Sequence, residues 1–259
     1  GGTEAHCGND TTHDCDTLDL SDVGLYEIVN ETNDLDGNST SGTVNLLDTF
    51  GNVTGNIYFE EIEKIIPCFT PGTMIATPRG EVAVEDLNVG DKVLTRDNGM
   101  QEILWYGSKA IDQQDLLNDP KLRPVMITAG SLGHGLPEKD LMVSPNHRVL
   151  ISNTNTALLF DDEEVLVAAK HLVDKPGIHT VDVARTDYIH FMFEQHEVVL
   201  SNGTWTESFQ PGELSLNGID DDQRDELYKL FPELQNDAGR QEYKSARHTL
   251  KAYEAKLAI

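Results

Sequence analysis

The sequence predicts an all-β protein that is closed at its C-terminal end by two helices. Short runs rich in β-branched and aromatic residues alternate with turn residues from about residue 68 to residue 212, and no helical period interrupts them. The pair Asn202-Gly203, which lies between two such runs, is typical of a β-hairpin turn. After residue 220 the apolar residues recur at helical spacing. Together these observations predict a β-rich domain with helices over about residues 220–259.

The composition is that of an acidic protein with a real hydrophobic core. The chain has 259 residues, of which 38% are hydrophobic, and a formal net charge of −26. No run of about 18 apolar residues is present, so no transmembrane helix is expected. A surface of this charge repels nucleic acid and anionic membranes. We therefore expect neither as a partner.

Residues 1–67 are predicted to form an acidic flank, separate from a domain over residues 68–259. The flank contains fourteen Asp and Glu residues against one Lys. Asn30–Gly42 has no apolar period and is expected to be a loop. Gly42–Ile66 has two β-prone runs around the turn residues of FGNVTG, which predicts a hairpin. The acidic side chains have two interpretations, a solvated surface or weak Ca²⁺ binding.

Two helices are predicted after the β-rich region. The first begins at the aspartate cluster of DDDQRDELYKLF, because carboxylates favour the N-cap and first turn of a helix. The second covers GRQEYKSARHTLKAYEAKLAI, where Tyr243, Leu250, Tyr253 and Leu257 recur at helical spacing. We expect these aromatic and aliphatic residues to pack in the core.

The chain has three cysteines, Cys7, Cys15 and Cys68. Cys7 and Cys15 could pair in an oxidising compartment, which would leave Cys68 without a partner. An odd cysteine is either a small buried hydrophobe or a reactive thiol. We predict that Cys7 and Cys15 are the only pair able to form a disulfide and that Cys68 stays reduced.

A cysteine in the middle of a chain can attack the carbonyl of the residue before it. For Cys68 this is an N-to-S acyl shift, which turns the Pro67–Cys68 amide into a thioester. The reaction needs a proton donor near the amide nitrogen and donors toward the carbonyl oxygen. Ser144, three residues before His147, could hydrogen-bond the scissile amide while the imidazole faces its nitrogen. His196 precedes the Asn202-Gly203 turn and is a second candidate.

The order of these residues resembles that of Hint domains, the module shared by hedgehog C-terminal regions and inteins. The stretch CFTPGTMIATPRGEVAVEDLNVGDKVLT, which begins at Cys68, is similar to the opening block of Hint domains. The block with the pattern T-x-x-H is similar to SPNH, with Ser144 in place of the usual Thr. The last strand pair is similar to FEQHEVVLSNG, with His196 as its histidine. Residues 68–259 as a whole resemble the bacterial hedgehog/intein-like Hint domains.

The resemblance implies a horseshoe of β-hairpins and a single-turnover self-processing activity. Cys68 would be the nucleophile, Ser144 and His147 would activate the first step, and His196 would help in the second. The substrate would be the protein's own N-terminal segment, the scissile bond would be Pro67–Cys68, and no cofactor would be required.

Three departures from the family pattern limit the reaction. Glu207 and Ser208 stand where an intein has its terminal His-Asn pair, so full splicing is not expected. No aspartate near ILWYGSK matches the base with which hedgehog proteins activate a sterol, so sterol transfer is not expected either. What remains is a thioester that water, a thiol or an amine attacks. The ring of Pro67 crowds the carbonyl and is expected to slow the shift.

The leading segment GGTEAHCGNDTTHDCDTLDLSDVG resembles the Gly-Asp flank of secreted calcium-binding repeat proteins. This resemblance implies an extracellular location and Ca²⁺ candidates at Asp10, Asp14, Asp16 and Asp19. A bacterial or phage origin is expected. The alternative to self-processing is an inert Hint scaffold within an extracellular or particle-borne assembly.

Overall fold

The computed structural model describes residues 26–33, 39–47, 52–63, 67–173, 175–211, 216, 219–236, 239–240 and 243–258. The chain divides into two compact units, residues 1–64 and residues 65–259. The calcium candidates and two of the cysteines lie outside the described residues, namely Asp10, Asp14, Asp16, Asp19, Cys7 and Cys15.

The first unit contains an antiparallel sheet of three described strands, β1 (Tyr26–Asn33), β2 (Ser39–Leu47) and β3 (Val53–Glu63), in that order. The predicted hairpin is confirmed by the pairing of β2 with β3. The loop predicted over Asn30–Gly42 is wrong at both ends, since the end of β1 pairs with the start of β2. Backbone hydrogen bonds need no apolar period, and a register shift between Val29 and Thr32 accommodates this segment.

The second unit is rich in short strands, and this confirms the all-β fold class. In chain order the described strands are β4 (Met74–Thr77), β5 (Gly80–Ala83), β6 (Lys92–Thr95), β7 (Gly99–Glu102), β8 (Trp105–Ile111), β9 (Val125–Ile127), β10 (Leu141–Val143), β11 (Arg148–Ile151), β12 (Val165–Ala168), β13 (Ile178–Thr180), β14 (Thr186–Met192), β15 (Val198–Ser201), β16 (Thr204–Glu207) and β17 (His248–Thr249).

The strands of the second unit form three sheets within the described residues. The largest has the order β17-β12-β11-β16-β15-β4-β5, and β6 joins it by pairing with β15 and with β7. The second has the order β10-β9-β13, and the third is the long antiparallel pair β14-β8. All pairings are antiparallel except that of β12 with β17. β12 is buried along its whole length, which suits its place inside the large sheet.

Two short helices lie inside the region that was predicted to be all β, α1 (Gln113–Asn118) and α2 (Thr154–Phe160). Each is too short to display a helical period. Each begins at a capping box, in which the side chain of Asp112 or Asn153 accepts hydrogen bonds from the first-turn amides. Local capping therefore sets these helices, and the hydrophobic pattern does not reveal them.

The first predicted C-terminal helix is confirmed as α3 (Asp221–Leu230). The second was predicted over residues 239–259, but its described helical part at the C-terminal end is only α4 (Ala252–Ala258). His248 and Thr249 instead form β17, which pairs in parallel with β12. The edge of the large sheet thus satisfies backbone groups that a continuous helix would have satisfied internally. The described 3-10 turns are Val84–Asp86, Pro120–Leu122, Ala169–Leu172 and Pro232–Gln235.

The predicted Asn202-Gly203 turn is confirmed, and the Asn202 side chain also forms hydrogen bonds with two other parts of the unit. Asn202 has φ 46° and Gly203 has φ 76°, so both lie in the left-handed region that this hairpin turn requires. Asn202 Oδ1 accepts a hydrogen bond from the Met74 amide at 2.7 Å, and Nδ2 donates to the Asp140 carbonyl at 2.7 Å. The amide therefore links β15, β4 and the segment before β10.

We predict that Asn202→Ala lowers the free energy of unfolding by about 3 kcal/mol. The change leaves the Met74 amide and the Asp140 carbonyl unpaired, at about 1–3 kcal/mol for a buried group, and it puts a strained alanine at positive φ. Asn202→Gly removes the same hydrogen bonds without the strain and should cost about 1 kcal/mol less. Urea unfolding followed by tryptophan fluorescence measures both, since Trp105 and Trp205 are the two tryptophans of the chain. Equal losses for the two variants would contradict the role of the backbone conformation.

Candidate functional site

The segment Cys68–Phe69 is inserted between the end of β10 and the middle of β14. Phe69 forms antiparallel bridges with Val143 and with Ile189. Its amide donates to the Ile189 carbonyl at 2.7 Å, and its carbonyl accepts from the Ile189 amide at 2.9 Å. The side chain of Phe69 is buried in the core of the second unit. These contacts fix the backbone on the C-terminal side of the Pro67–Cys68 bond.

Ser144 holds Cys68 from the other side. The amide N–H of Cys68 donates a hydrogen bond to Ser144 Oγ at 2.8 Å, and the Cys68 carbonyl accepts one from the Ser144 amide at 2.9 Å. Both residues are buried. The nitrogen of the predicted scissile bond is therefore within reach of a hydroxyl group. The role predicted for Ser144 in the first step stays a prediction, and the hydrogen bond to the Cys68 amide is the contact that this role requires.

The thiol of Cys68 contacts a histidine that the sequence analysis did not identify. Cys68 Sγ lies 3.4 Å from Nδ1 of His190. The imidazole is buried and packs against two aromatic rings, with its centroid 5.1 Å from that of Trp105 and 5.3 Å from that of Phe209. His190 is therefore the base candidate nearest to the nucleophile among the described residues.

The topology explains how His190 reaches a cysteine 122 positions away. Phe69 pairs with Ile189 in antiparallel fashion. Cys68, which precedes Phe69, therefore lies next to His190, which follows Ile189. His190 in turn lies opposite Gly107 of β8. The sequence signal was present, because DYIHFMFEQH carries two histidines in one strand region. His196 was chosen because the Asn202-Gly203 turn follows it.

His147 is buried against the cysteine segment without a hydrogen bond to it. Its ring centroid lies 4.4 Å from that of Phe69, and neither ring nitrogen has a hydrogen-bond partner among the described residues. Burial lowers the pKa of His147 to about 4, against the opposing effect of Glu207. The imidazole is therefore neutral at pH 7 and keeps one N–H to donate.

His196 lies in a separate set of hydrogen bonds. Its Nδ1 accepts from the backbone amide of Ala246 at 3.0 Å, which places the ring proton of the neutral form on Nε2. Nε2 lies 3.2 Å from the Ser208 carbonyl and 3.4 Å from a carboxylate oxygen of Glu207. His196 also borders a cavity of about 490 Å³. The contacts described for His196 do not include Cys68.

Glu207 is a buried carboxylate that joins His196 to the strand after His147. It accepts from the Arg148 backbone amide at 2.8 Å and from the Arg148 guanidinium at 3.0 Å. Burial raises the pKa of Glu207, but Arg148 together with His196 and His147 outweighs burial and holds this pKa below its ordinary value. A negative charge is thus fixed inside the unit at pH 7.

The charge state of the Cys68 thiol follows from its burial. Burial raises the pKa of Cys68 well above its ordinary value of 9.0, Lys109 opposes this effect, and Glu207 adds to it. Burial lowers the pKa of His190 to about 3, the Gln223 side chain opposes it, and Lys109 adds to it. The proton therefore rests on sulfur, and the resting site is a neutral thiol beside a neutral imidazole. Attack requires that this proton leave as the new bond forms.

No group of three or more His, Cys, Asp and Glu side chains among the described residues could hold a metal ion. No helix in the described part of the chain is long and apolar enough to cross a membrane.

The family profile that matches the chain is that of the Hint domain, over residues 67–213. This match covers more than half of the chain and begins one residue before the buried cysteine. The chain therefore belongs to the Hint domain family, as the sequence resemblance indicated.

Solved structures of inteins and an intein-like domain are similar to this chain at low identity. They include the gp41-1 intein, with 16% identity, a TM-score of 0.33, and coverage of 54% of this chain and 97% of that one. The bacterial intein-like domain from Clostridium thermocellum has 14% identity, a TM-score of 0.37, and coverage of 56% and 99%. The Msm DnaB1 intein splicing domain bound with zinc has 15% identity, a TM-score of 0.32, and coverage of 53% and 98%. No curated protein sequence matches the chain.

We predict that the second unit loses stability in acid before its carboxylates are all protonated. The pKa values of His147 and His190 are about 4 and about 3 in the folded protein, and both return to the ordinary value of 6.5 on unfolding. Below pH 6.5 the unfolded chain binds protons that the folded chain does not, so stability is complete above pH 6.5 and falls toward pH 4. The slope is about 1.4 kcal/mol per pH unit for each histidine. The depressed pKa of Glu207 extends the loss below pH 4.5.

Urea unfolding at pH 7, 6, 5 and 4 measures this slope. His147→Met removes one of the two groups and should reduce the slope by about half. His179→Gln, which changes an exposed histidine, is the matched control and should leave the slope unchanged. A stability that is constant from pH 7 to pH 4 would contradict the neutral buried histidines.

Proposed function

We propose that residues 67–259 break the bond between Pro67 and Cys68 through a thioester. The observation that carries the proposal is that Cys68 is contacted at both reacting ends. Ser144 Oγ accepts from its amide N–H at 2.8 Å, and His190 Nδ1 lies 3.4 Å from its sulfur. Such placement supplies the proximity and the proton acceptor that acyl transfer requires.

The first step exchanges one bond for another without an external reagent. The Cys68 S–H proton moves to His190 Nδ1 while sulfur bonds to the carbonyl carbon of Pro67. The C–N bond then breaks, and the Cys68 nitrogen gains a proton to become a free amine. His147, neutral and without a hydrogen-bond partner in the described part of the chain, is the proposed donor of this proton. Its second ring nitrogen takes over the proton that His190 received from sulfur, so both imidazoles end the step neutral. The net change is an isomerisation of the amide to a thioester.

The second step is attack on the thioester by water, a thiol or an amine. It releases the segment that ends at Pro67 and leaves Cys68 with a thiol and a free amine. Splicing is not proposed, because Glu207 has no amide nitrogen that could cyclise and its carboxylate is bonded to Arg148. His196, whose Nε2–H lies beside Glu207 and Ser208, is the proposed helper of this step.

A second candidate function is an inert Hint scaffold within an extracellular or particle-borne assembly. The observation that favours it is the charge state of Cys68 and His190, because burial keeps the thiol protonated and the imidazole a weak base. The buried Pro67 also favours this second function, because its ring crowds the carbonyl that Cys68 would attack. Incubation of the full chain with a thiol or hydroxylamine separates the two functions, since only the first yields fragments 1–67 and 68–259.

We predict that Cys68→Ala abolishes thiol-induced cleavage and that His190→Gln slows it about 10²–10⁴-fold. The first change removes the nucleophile, and the second removes the base and its share of the rate. Intact mass spectrometry after incubation with dithiothreitol measures both rates. Cys15→Ala, which leaves Cys68 in place, is the control and should cleave like the unaltered chain. A His190→Gln variant that cleaves at the unaltered rate would remove His190 from the mechanism.

We also predict that Pro67→Gly speeds cleavage. The pyrrolidine ring crowds the carbonyl that sulfur must attack, and glycine opens this approach. The same mass assay measures the rate, and circular dichroism shows that the variant is folded. A folded Pro67→Gly chain that stays whole in strong thiol would support the inert scaffold instead.

A further inference from the structure

Two buried polar atoms near Gly107 have no hydrogen-bond partner among the described residues. They are Nε2 of His190 and Oε1 of Gln223. Gly107 lies opposite His190 in the β14-β8 pair, and both atoms lie close to the side-chain position that this glycine leaves open. A Cβ at position 107 would lie 2.6 Å from His190 Nε2 and 2.7 Å from Gln223 Oε1. The two atoms therefore lie against the same point of β8. A buried donor or acceptor without a partner costs about 1–3 kcal/mol, so each has reason to pair with the other.

The orientation of the Gln223 amide is fixed by its other end. Gln223 Nε2 donates a hydrogen bond to the Ser108 carbonyl at 2.8 Å, and a carbonyl cannot accept from an amide oxygen. Oε1 is thus an acceptor without a proton, held close to His190. A neutral imidazole next to such an acceptor places its proton on Nε2. Its lone pair is then on Nδ1, the atom that lies 3.4 Å from Cys68 Sγ.

We propose that Gln223 is a positioning residue, which accepts a hydrogen bond from His190 Nε2–H and so keeps the Nδ1 lone pair directed at the Cys68 thiol. In the other tautomer Nδ1 would carry a proton and could not accept one from sulfur. The effect of Gln223 on the processing rate rests on the proposed function, but its effect on the tautomer does not. The Gln223 side chain also favours the protonated ring, in the direction that a hydrogen-bond acceptor requires.

Gln223 belongs to α3, which lies beyond residues 67–213 that match the Hint domain family. Leu227 of the same helix is buried in the cluster that contains Cys68 and Trp105, so the helix is packed against the site. The region after residue 213 also supplies the Ala246 amide that fixes the tautomer of His196. The region after residue 213 thus lies beside Nε2 of His190, through Gln223, and bonds to Nδ1 of His196, through the Ala246 amide.

The tautomer of His190 can be measured directly by ¹⁵N NMR of the histidine rings in the full chain. We expect Nδ1 of His190 to resonate as an unprotonated nitrogen and Nε2 as a protonated one at pH 7, with the resonances assigned by their loss in His190→Gln. In Gln223→Met, which has a similar shape and no acceptor oxygen, protonated Nδ1 should become populated. In Gln223→Glu, which keeps an acceptor, it should not. Glu226→Gln, an exposed change on the same helix, is the matched control.

The cleavage rate is the second measurement. Gln223→Met should slow thiol-induced cleavage tenfold or more, and at most by the roughly 10²–10⁴-fold that a positioned base supplies, while Gln223→Glu restores most of the rate. A protonated Nδ1 in the unaltered chain would overturn the proposal without any variant. An unchanged tautomer in folded Gln223→Met would overturn it as well. If the unaltered chain does not cleave, the proposed function fails, and the tautomers alone still decide the role of Gln223.

Discussion

The burial of the Cys68 backbone is the constraint on which the rest of the site depends. A buried peptide group must have partners for its N–H and C=O, and for Cys68 both come from Ser144, while β14 pairs with the backbone of the next residue, Phe69. Pairing with β14 also brings His190 beside the thiol. One arrangement of hydrogen bonds therefore holds the Pro67–Cys68 bond, places a hydroxyl at its nitrogen and places an imidazole beside the Cys68 thiol.

The same burial decides which charges the site contains. It keeps the thiol protonated and both nearby imidazoles neutral, because no side chain of opposite charge pairs with them directly in the described residues. The fixed carboxylate of Glu207 is balanced by Arg148, so the interior charge is paired. Proton transfer from sulfur must then accompany bond formation. Under the proposed function, a site of this kind reacts slowly at rest.

Local patterns in the sequence predicted the hairpin of the first unit, the Asn202-Gly203 turn, α3 and the β-rich class, because these depend on residues close together in the chain. The S-x-x-H spacing singled out Ser144 within its own segment, whereas the contact of Ser144 with Cys68 spans 76 residues. The pairing of His190 with Cys68 could not be predicted, since it depends on the strand neighbour of Phe69 at a separation of 122 residues. The second C-terminal helix was overestimated because the edge of β12, which β17 occupies, is also distant in sequence.

Under the proposed function, the contrast between His190 and His196 indicates how the region after residue 213 would take part in the chemistry. His196 has its tautomer set by a backbone amide, which is a donor under all conditions, so its Nε2–H is permanent while β17 and the preceding segment stay in place. His190 has its Nε2 atom beside the Gln223 side-chain amide of α3, whose position depends on the packing of that helix and on the hydrogen bond from Gln223 to the Ser108 carbonyl. Loosening of α3 would therefore affect the base for the first step while leaving the cysteine segment paired with β10 and β14. The region after residue 213 would thus control the reactivity of Cys68 without forming the hydrogen bonds that hold this residue in place.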